Sequence, residues 1–143
     1  GGNSLSYQAL AKELGIESQC KWYGAIPHGE VQRVMQESDV FFFTSVAEGT
    51  PHVVLEAIGN NLPVICFNTC GQGDSVNEKI GRKIELSTPK ISIQDFAKIL
   101  NTLESNRHLL KEMAENCQER QQELSWDKKV LQMVELYKRA LQQ

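Results

Sequence analysis

No apolar run in this chain approaches the roughly 20 residues that a membrane-spanning helix needs, and no segment reads as a secretory signal. Positive charge is not in excess. The 15 Lys and Arg stand against 18 Asp and Glu, and the net charge of -3 argues against a nucleic-acid surface. Neither a Gly-x-Gly-x-x-Gly turn nor a Walker sequence occurs, so nicotinamide or ATP binding of those kinds is unsupported. No Ser/His/Asp arrangement can be made out. Cysteine is confined to Cys20, Cys66, Cys70 and Cys117. Cys66 and Cys70 have no second Cys/His pair nearby, so no metal site is expected. Cys20 and Cys66 lie in apolar, strand-like segments and read as small core hydrophobes. Reduced thiols in a cytoplasmic protein are the simplest account.

The 143 residues suffice for one domain with a real core. Hydrophobic residues make up 41% and charged residues 23%, a composition typical of a soluble globular protein. No internal repeat, low-complexity run or linker interrupts the chain. Tyr7, Leu10, Ala11 and Leu14 share one helical face, and Gly15 reads as the residue that ends the helix. Cys20 to Gly24 reads as a strand. Glu30 to Glu37 reads as a short helix with Val31, Val34 and Met35 inward. Phe41 to Phe43 is a continuous apolar run, expected of a strand covered on both faces. Pro51 to Asn60 follows as a helix with Pro at its first position.

Val64 to Phe67 reads as the next buried strand, and residues 68 to 77, with Gly71 and Gly73, as a loop. Lys83 to Leu86 mixes charge with apolar residues, as an edge strand does. Ser92 is the expected cap of a helix that turns Ile93, Phe96, Ile99, Leu100 and Leu103 inward, with Asp95 completing a capping-box-like start. Asn106 to Leu124 reads as a long helix carrying Leu109, Leu110, Met113 and Cys117. Ser125 caps a last helix from Trp126 to about Leu141. Strands alternating with helices imply an α/β fold, a Rossmann-like parallel sheet flanked by helices.

The densest chemistry lies in Glu48-Gly-Thr-Pro-His-Val-Val-Leu-Glu56. The first carboxylate stands just before a short helix and the second lies within it. Gly49, Thr50 and Pro51 form the joint. A strand, a tight turn and a helix N-terminus make a ready anion site. Carboxylates beside such a site would repel phosphate, so they suit neutral hydroxyls, such as those of a sugar or ribose. A sugar nucleotide presents both kinds of group.

This wording resembles glycosyltransferase family 4, the retaining, nucleotide-sugar-dependent enzymes of the GT-B fold. Trp22-Tyr-Gly24, Pro27, Met35 and Ser38-Asp39-Val40 resemble that family's approach to its catalytic loop. Asn61-Leu-Pro-Val-Ile65 is similar to its next strand, and Ser125-Trp126-Asp127 with Tyr137 to its closing helix, here 126–141. The resemblance runs from about Tyr7 onward and rests on the order and spacing of the pieces.

The resemblance implies that residues 1–143 are the C-terminal donor-binding domain of a GT-B enzyme. It implies a role for Glu56 in hydrogen-bonding both ribose hydroxyls of the donor, a task suited to a carboxylate because it accepts from two donors at once. The plain alternative is a solvated helix carboxylate. Glu48 would face the donor sugar near its anomeric centre, either stabilising an oxocarbenium-like transition state or holding a sugar hydroxyl. Its alternative is a charge that favours the following helix by about 0.3–1 kcal/mol. Backbone N–H groups of Gly49, Thr50, His52 and Val53 would serve the sugar and diphosphate, and Pro51 has none to offer. The His52 ring either touches the donor or stands exposed at the helix start. Gly24, Ala25 and Ile26 would lie near the nucleobase.

The family's diphosphate-clamping Arg and Lys normally precede the region where this chain starts, and Lys12 and Lys21 are poor substitutes. The isolated chain is therefore expected to bind donor weakly and to be inactive. By the same alignment the first strands of the domain and the acceptor-binding N-terminal domain lie outside the chain. Two open sheet edges would follow, predicting self-association or direct pairing of Cys20–Tyr23 with Val40–Thr44. Trp126, Met133 and Tyr137 are expected to be exposed. No Asp-x-Asp pair supports a metal-bridged diphosphate, so the implied transferase works without a cofactor or metal.

The resemblance implies hexose transfer from a nucleotide sugar to a glycan or lipid-linked acceptor, in polysaccharide biosynthesis. The setting would be cytoplasmic, with any peripheral association at the inner membrane face. A GT-B-like epimerase and a non-catalytic interaction domain on the same scaffold remain as alternatives.

Overall fold

A computed structural model describes residues 4–142. The chain forms two compact units, Gly1–Arg33 and Val34–Gln143. The first holds helix α1 (Ser4–Glu13), a 3₁₀ turn at Glu17–Gln19 and the start of helix α2 (His28–Gln36). Helix α1 ends as its sequence predicts. Gly15 takes φ +69° and donates to the Lys12 carbonyl at 3.1 Å, while Ile16 donates to that of Ala11 at 2.9 Å. This is a Schellman closure, whose left-handed residue glycine adopts without a Cβ penalty. Of the expected apolar face only Ala11 is buried, and Tyr7, Leu10 and Leu14 are exposed.

The strand expected at Cys20–Gly24 does not form; the segment has no regular structure. A strand persists only when a neighbour pairs with its backbone groups, and no ladder among the described residues includes this segment. Cys20 is accordingly only half-buried rather than a core residue. Lys21 lays its Nζ 4.7 Å from the centre of the Tyr23 ring.

The second unit is built on a three-stranded parallel sheet, β1 (Phe41–Phe43), β2 (Val64–Phe67) and β3 (Gly81–Ile84), in that spatial order. Helices α3 (His52–Gly59), α4 (Cys70–Ser75), α5 (Pro89–Ser105), α6 (Arg107–Glu123) and α7 (Trp126–Leu141) complete it. Phe41 pairs with Val64 and Phe43 with Cys66; Val64 pairs with Gly81 and Phe67 with Ile84. Every residue of β2 is buried, as befits a central parallel strand. On one face Ile65, Phe67 and Ile84 pack with Phe96 and Leu103 of α5 and Leu110 and Met113 of α6. Alternation puts Val64 and Cys66 on the other face. Helix α3 packs against β1 and β2 through a buried Val54, Ala57 and Ile58.

Several expectations shift. Phe42 is 45% exposed, so β1 is not covered on both faces. Strand β1 pairs only with β2 among the described residues; of the two expected outcomes, self-association or pairing with Cys20–Tyr23, the second does not occur, because that segment is not a strand. Helix α5 starts before Ser92. Thr88 is its cap, accepting from Ile91 N–H at 3.4 Å, and Pro89 takes the first turn, where its missing N–H costs nothing. Its buried stripe is narrower than expected. Ser92, Phe96, Ile99 and Leu103 recur at helical spacing, while Ile93 and Leu100, about 100° round the helix, are exposed. The span 68–77 is not all loop, since α4 lies within it. Ser125 caps α7 as expected, accepting from Lys128, whereas Asn106, expected within α6, is its cap and accepts from Leu109. No residue of α7 is buried, and Trp126 is 85% exposed. Among the described residues no helix is long and apolar enough to cross a membrane.

Gly81 is set by a close approach. A Cβ there would overlap the Val64 carbonyl oxygen and lie 2.8 Å from Val76 Cγ1. Gly81→Ala is expected to lower the unfolding free energy by about 1–3 kcal/mol, the usual cost of overpacking, as a reduced urea midpoint at unchanged m-value.

Candidate functional site

The segment 44–51 joins β1 to α3 and carries the first carboxylate. Pro51, expected as the first helical residue of α3, is instead its N-cap, with extended φ and ψ of -73° and 96°. Its carbonyl accepts from Val54 N–H at 2.9 Å and, more weakly, from Leu55 N–H at 3.5 Å. The first-turn N–H groups of His52 and Val53 precede the first possible intrahelical acceptor, and Pro51 contributes no N–H. Helix α3 closes through Asn61 at φ +55°, with Leu62 N–H on the Ala57 carbonyl at 3.0 Å. Asn is among the few residues other than glycine that enter this region readily.

Glu48 is exposed, and its Oε1 accepts from Ser45 Oγ at 2.7 Å. Glu56 is half-buried in α3, one turn beyond the exposed His52 and so on the same helical face. Gly49 and Thr50 are exposed and Val53 is half-buried. The fold thus places Glu48, Gly49, Thr50, His52, Val53 and Glu56 on one loop-and-helix element. Gly24, Ala25 and Ile26 belong to the first unit, between its 3₁₀ turn and α2. There Gly24 takes φ +62°, Ala25 is exposed and Ile26 half-buried.

The support for the Glu48 loop comes from α4, the stretch that the sequence presents as a loop. Gly71 N–H donates to the Gly49 carbonyl at 3.2 Å. A Cβ on Gly71 would overlap that same carbonyl oxygen and lie 3.0 Å from Pro51 Cδ, so only glycine fits. Gln72 is fully buried and its Nε2 donates to the Ser45 carbonyl at 3.1 Å and to Thr69 Oγ1 at 3.0 Å. Helix α4 is in turn tied to α6. Arg120 donates from Nε to the Ser75 carbonyl at 2.9 Å and from Nη2 to that of Asp74 at 2.7 Å. Ser45, Gln72 and Arg120 carried no signal in the sequence. A glutamine between two glycines reads as a solvated turn, and an arginine late in a helix as surface charge.

The sequence model of the family described as glycosyl transferases group 1 matches residues 1–123. The chain belongs to this family. A lipopolysaccharide 1,6-galactosyltransferase from Salmonella typhimurium is 37% identical to it over 103 residues, 71% of this chain and 28% of the relative. A D-inositol 3-phosphate glycosyltransferase from Corynebacterium urealyticum is 30% identical over 132 residues, 92% of this chain and 30% of that one. Among solved structures, sucrose-phosphate synthase from Thermosynechococcus elongatus superposes with a TM-score of 0.79 at 22% identity, over 99% of this chain and 35% of that one. HepE from Anabaena, solved in complex with UDP, superposes with a TM-score of 0.75 at 22% identity, over 96% and 38%. At this identity the superpositions establish the fold, the GT-B architecture over the part that the chain spans. The chain covers 28% and 30% of the lengths of these two curated relatives.

Proposed function

We propose that this chain is the donor-binding part of a retaining glycosyltransferase that moves a hexose from a nucleoside diphosphate to a glycan or lipid-linked acceptor. The observation that carries the reading is the pair of carboxylates on one braced element. Glu48 is held by Ser45 at 2.7 Å before α3, and Glu56 stands within α3, with the first-turn N–H groups of His52 and Val53 between them. In this reading Glu56 accepts from the ribose hydroxyls. The N–H groups of Gly49, Thr50, His52 and Val53 take sugar hydroxyls and diphosphate oxygens. Glu48 lies at the sugar, where a fixed negative charge stabilises positive charge developing at the anomeric carbon. Gly24, Ala25 and Ile26 are assigned to the nucleobase by the family resemblance.

Lipopolysaccharide and teichuronic acid glycosyltransferases among the relatives support a setting in cell-surface polysaccharide assembly. The acceptor site is assigned to an N-terminal domain, and the working place to the cytoplasm or the inner membrane face. The donor chemistry proposed here engages the diphosphate through backbone N–H groups and basic side chains, without a metal bridge.

The test is a titration of the full-length polypeptide with UDP, GDP and ADP and their hexose conjugates, followed by thermal shift. UDP comes first because a solved relative holds it. At 100-fold over its dissociation constant, a ligand that binds only the folded state adds about 2.7 kcal/mol of stability. Glu56→Ala is expected to weaken the selected nucleotide by tenfold or more without lowering the midpoint of the unliganded protein. Base-selective binding that survives Glu56→Ala would remove the ribose assignment. No binding by the full-length polypeptide would favour a non-catalytic scaffold.

A further inference from the structure

We propose that Gln72 is a positioning residue for Glu48, acting through Ser45. The side chain of Gln72 is fully buried, yet its Oε1 meets no hydrogen-bond partner among the described residues. A buried amide with one orphaned end is an unfavourable way to fill space, and an apolar side chain of that volume would avoid it. The bonds that Gln72 does make are directed at the site. Its Nε2 anchors the Ser45 carbonyl at 3.1 Å, and Thr69 Oγ1 at 3.0 Å takes the second bond from the same nitrogen. From the residue so anchored, Ser45 Oγ reaches Glu48 Oε1 at 2.7 Å.

Further contacts fix α4 and tie it to the same loop. Gly71, beside Gln72, donates to the Gly49 carbonyl, and Arg120 holds the far end of α4 by two carbonyls. The chain of contacts runs from α6 to α4, from Gln72 to the Ser45 backbone, and from the Ser45 hydroxyl to the carboxylate. Glu48 is solvent-exposed, and Ser45 Oγ is the hydrogen-bond partner that orients it. A carboxylate that must face one atom of a substrate needs such an external constraint, because a displacement of about 1 Å can cost a hundredfold in rate. The catalytic part of this inference rests on the donor-site reading of Glu48; the mechanical part does not.

The experiment uses the full-length polypeptide and the variants Gln72→Met, Ser45→Ala and Glu48→Gln, with UDP-galactose and UDP-glucose as donors. Methionine keeps the volume of Gln72 and removes both its donor and its orphaned acceptor. Hydrogen exchange at residues 45–50 is expected to rise tenfold or more in Gln72→Met, with protection of β2 and α5 unchanged. Release of UDP is expected to fall tenfold or more in kcat in both Gln72→Met and Ser45→Ala. KM should change less than threefold, since nucleotide contacts are assigned to Glu56 and α3. In the Glu48→Gln background Gln72→Met should add no further loss, the signature of two residues acting as one.

Unchanged exchange at residues 45–50 would overturn the inference whatever the turnover. So would a kcat loss equally large with and without Glu48. If Glu48→Gln alone left turnover intact, the donor-site reading would fail instead, and exchange would still decide whether Gln72 orders the loop. Ser45→Ala, at a half-exposed position, keeps the test available if Gln72→Met does not fold.

Discussion

Phe96→Ala is expected to lower the unfolding free energy by about 3–5 kcal/mol, the usual cost of deleting a large buried aromatic. Phe96 joins the two halves of the core. Its ring sits edge-on to Phe67 of β2, with centroids 4.9 Å apart and planes at 70°, and edge-on to Phe42 of β1, at 4.9 Å and 81°. Each such pair adds about 0.5–1.5 kcal/mol beyond burial. Truncation would open a cavity between α5 and the sheet, and the surrounding Ile65, Leu103 and Leu110 could fill it only in part. A urea titration of the variant measures the loss as a lower midpoint. Phe42→Ala serves as a comparison: that residue is 45% exposed, so its loss should be clearly smaller. Equal effects would mean that the exposed ring on β1 and the buried ring on α5 carry the same weight.

Raising the pH from 9 to 11 is expected to remove about 4 kcal/mol of stability through two buried thiols. Cys66 lies in β2 and Cys117 in α6, both fully buried. Burial pushes each thiol up from 9.0 to about 11, because a thiolate loses its hydration there; Lys83 offsets part of the effect at Cys66. Below about pH 8 both states keep these protons and stability is unaffected. Between 9 and 11 the unfolded chain releases protons that the folded chain retains, so the equilibrium moves toward unfolding. The slope is about 1.4 kcal/mol per pH unit for each thiol. Urea midpoints across this range should fall more steeply for the wild type than for Cys66→Ala and Cys117→Ala combined. Parallel slopes would show that other groups cause the alkaline loss. A loss of this size is a large fraction of the whole stability of a small domain, about 5–15 kcal/mol, so a clear fall in the urea midpoint is the expected appearance.

The candidate site was half legible in the sequence. Glu48 and Glu56 stood out as two carboxylates flanking a Gly-Thr-Pro joint between an apolar run and a helix, and the fold places both on the predicted loop and helix. The brace behind them was illegible. Gln72 shares no local pattern with Ser45, from which it is separated by 27 positions, and only a tertiary contact joins them. Residues 70–75 form a helix although glycine, a poor helix former, occupies two of the six positions. Packing against Gly49 and Pro51, and the Arg120 bonds to the carbonyls of Asp74 and Ser75, supply what propensity does not.

What the sequence by itself determined are the features whose physics is local. The closure of α1 at Gly15 and the cap of α7 at Ser125 depend on residues within one turn of each other, and both formed as read. The fully buried β2 followed from its unbroken apolar run. Only the tertiary structure decided what depends on a distant partner. Cys20–Gly24 has the composition of a strand but joins no ladder among the described residues, and a strand's hydrogen bonds lie entirely on its neighbours. Ser92 has the chemistry of a helix cap, yet Thr88-Pro89 starts α5 earlier and leaves Ser92 in its first turns, buried against the core. Helix ends are satisfied within the chain's own turn, whereas sheet edges, buried amides and braced loops are satisfied across space.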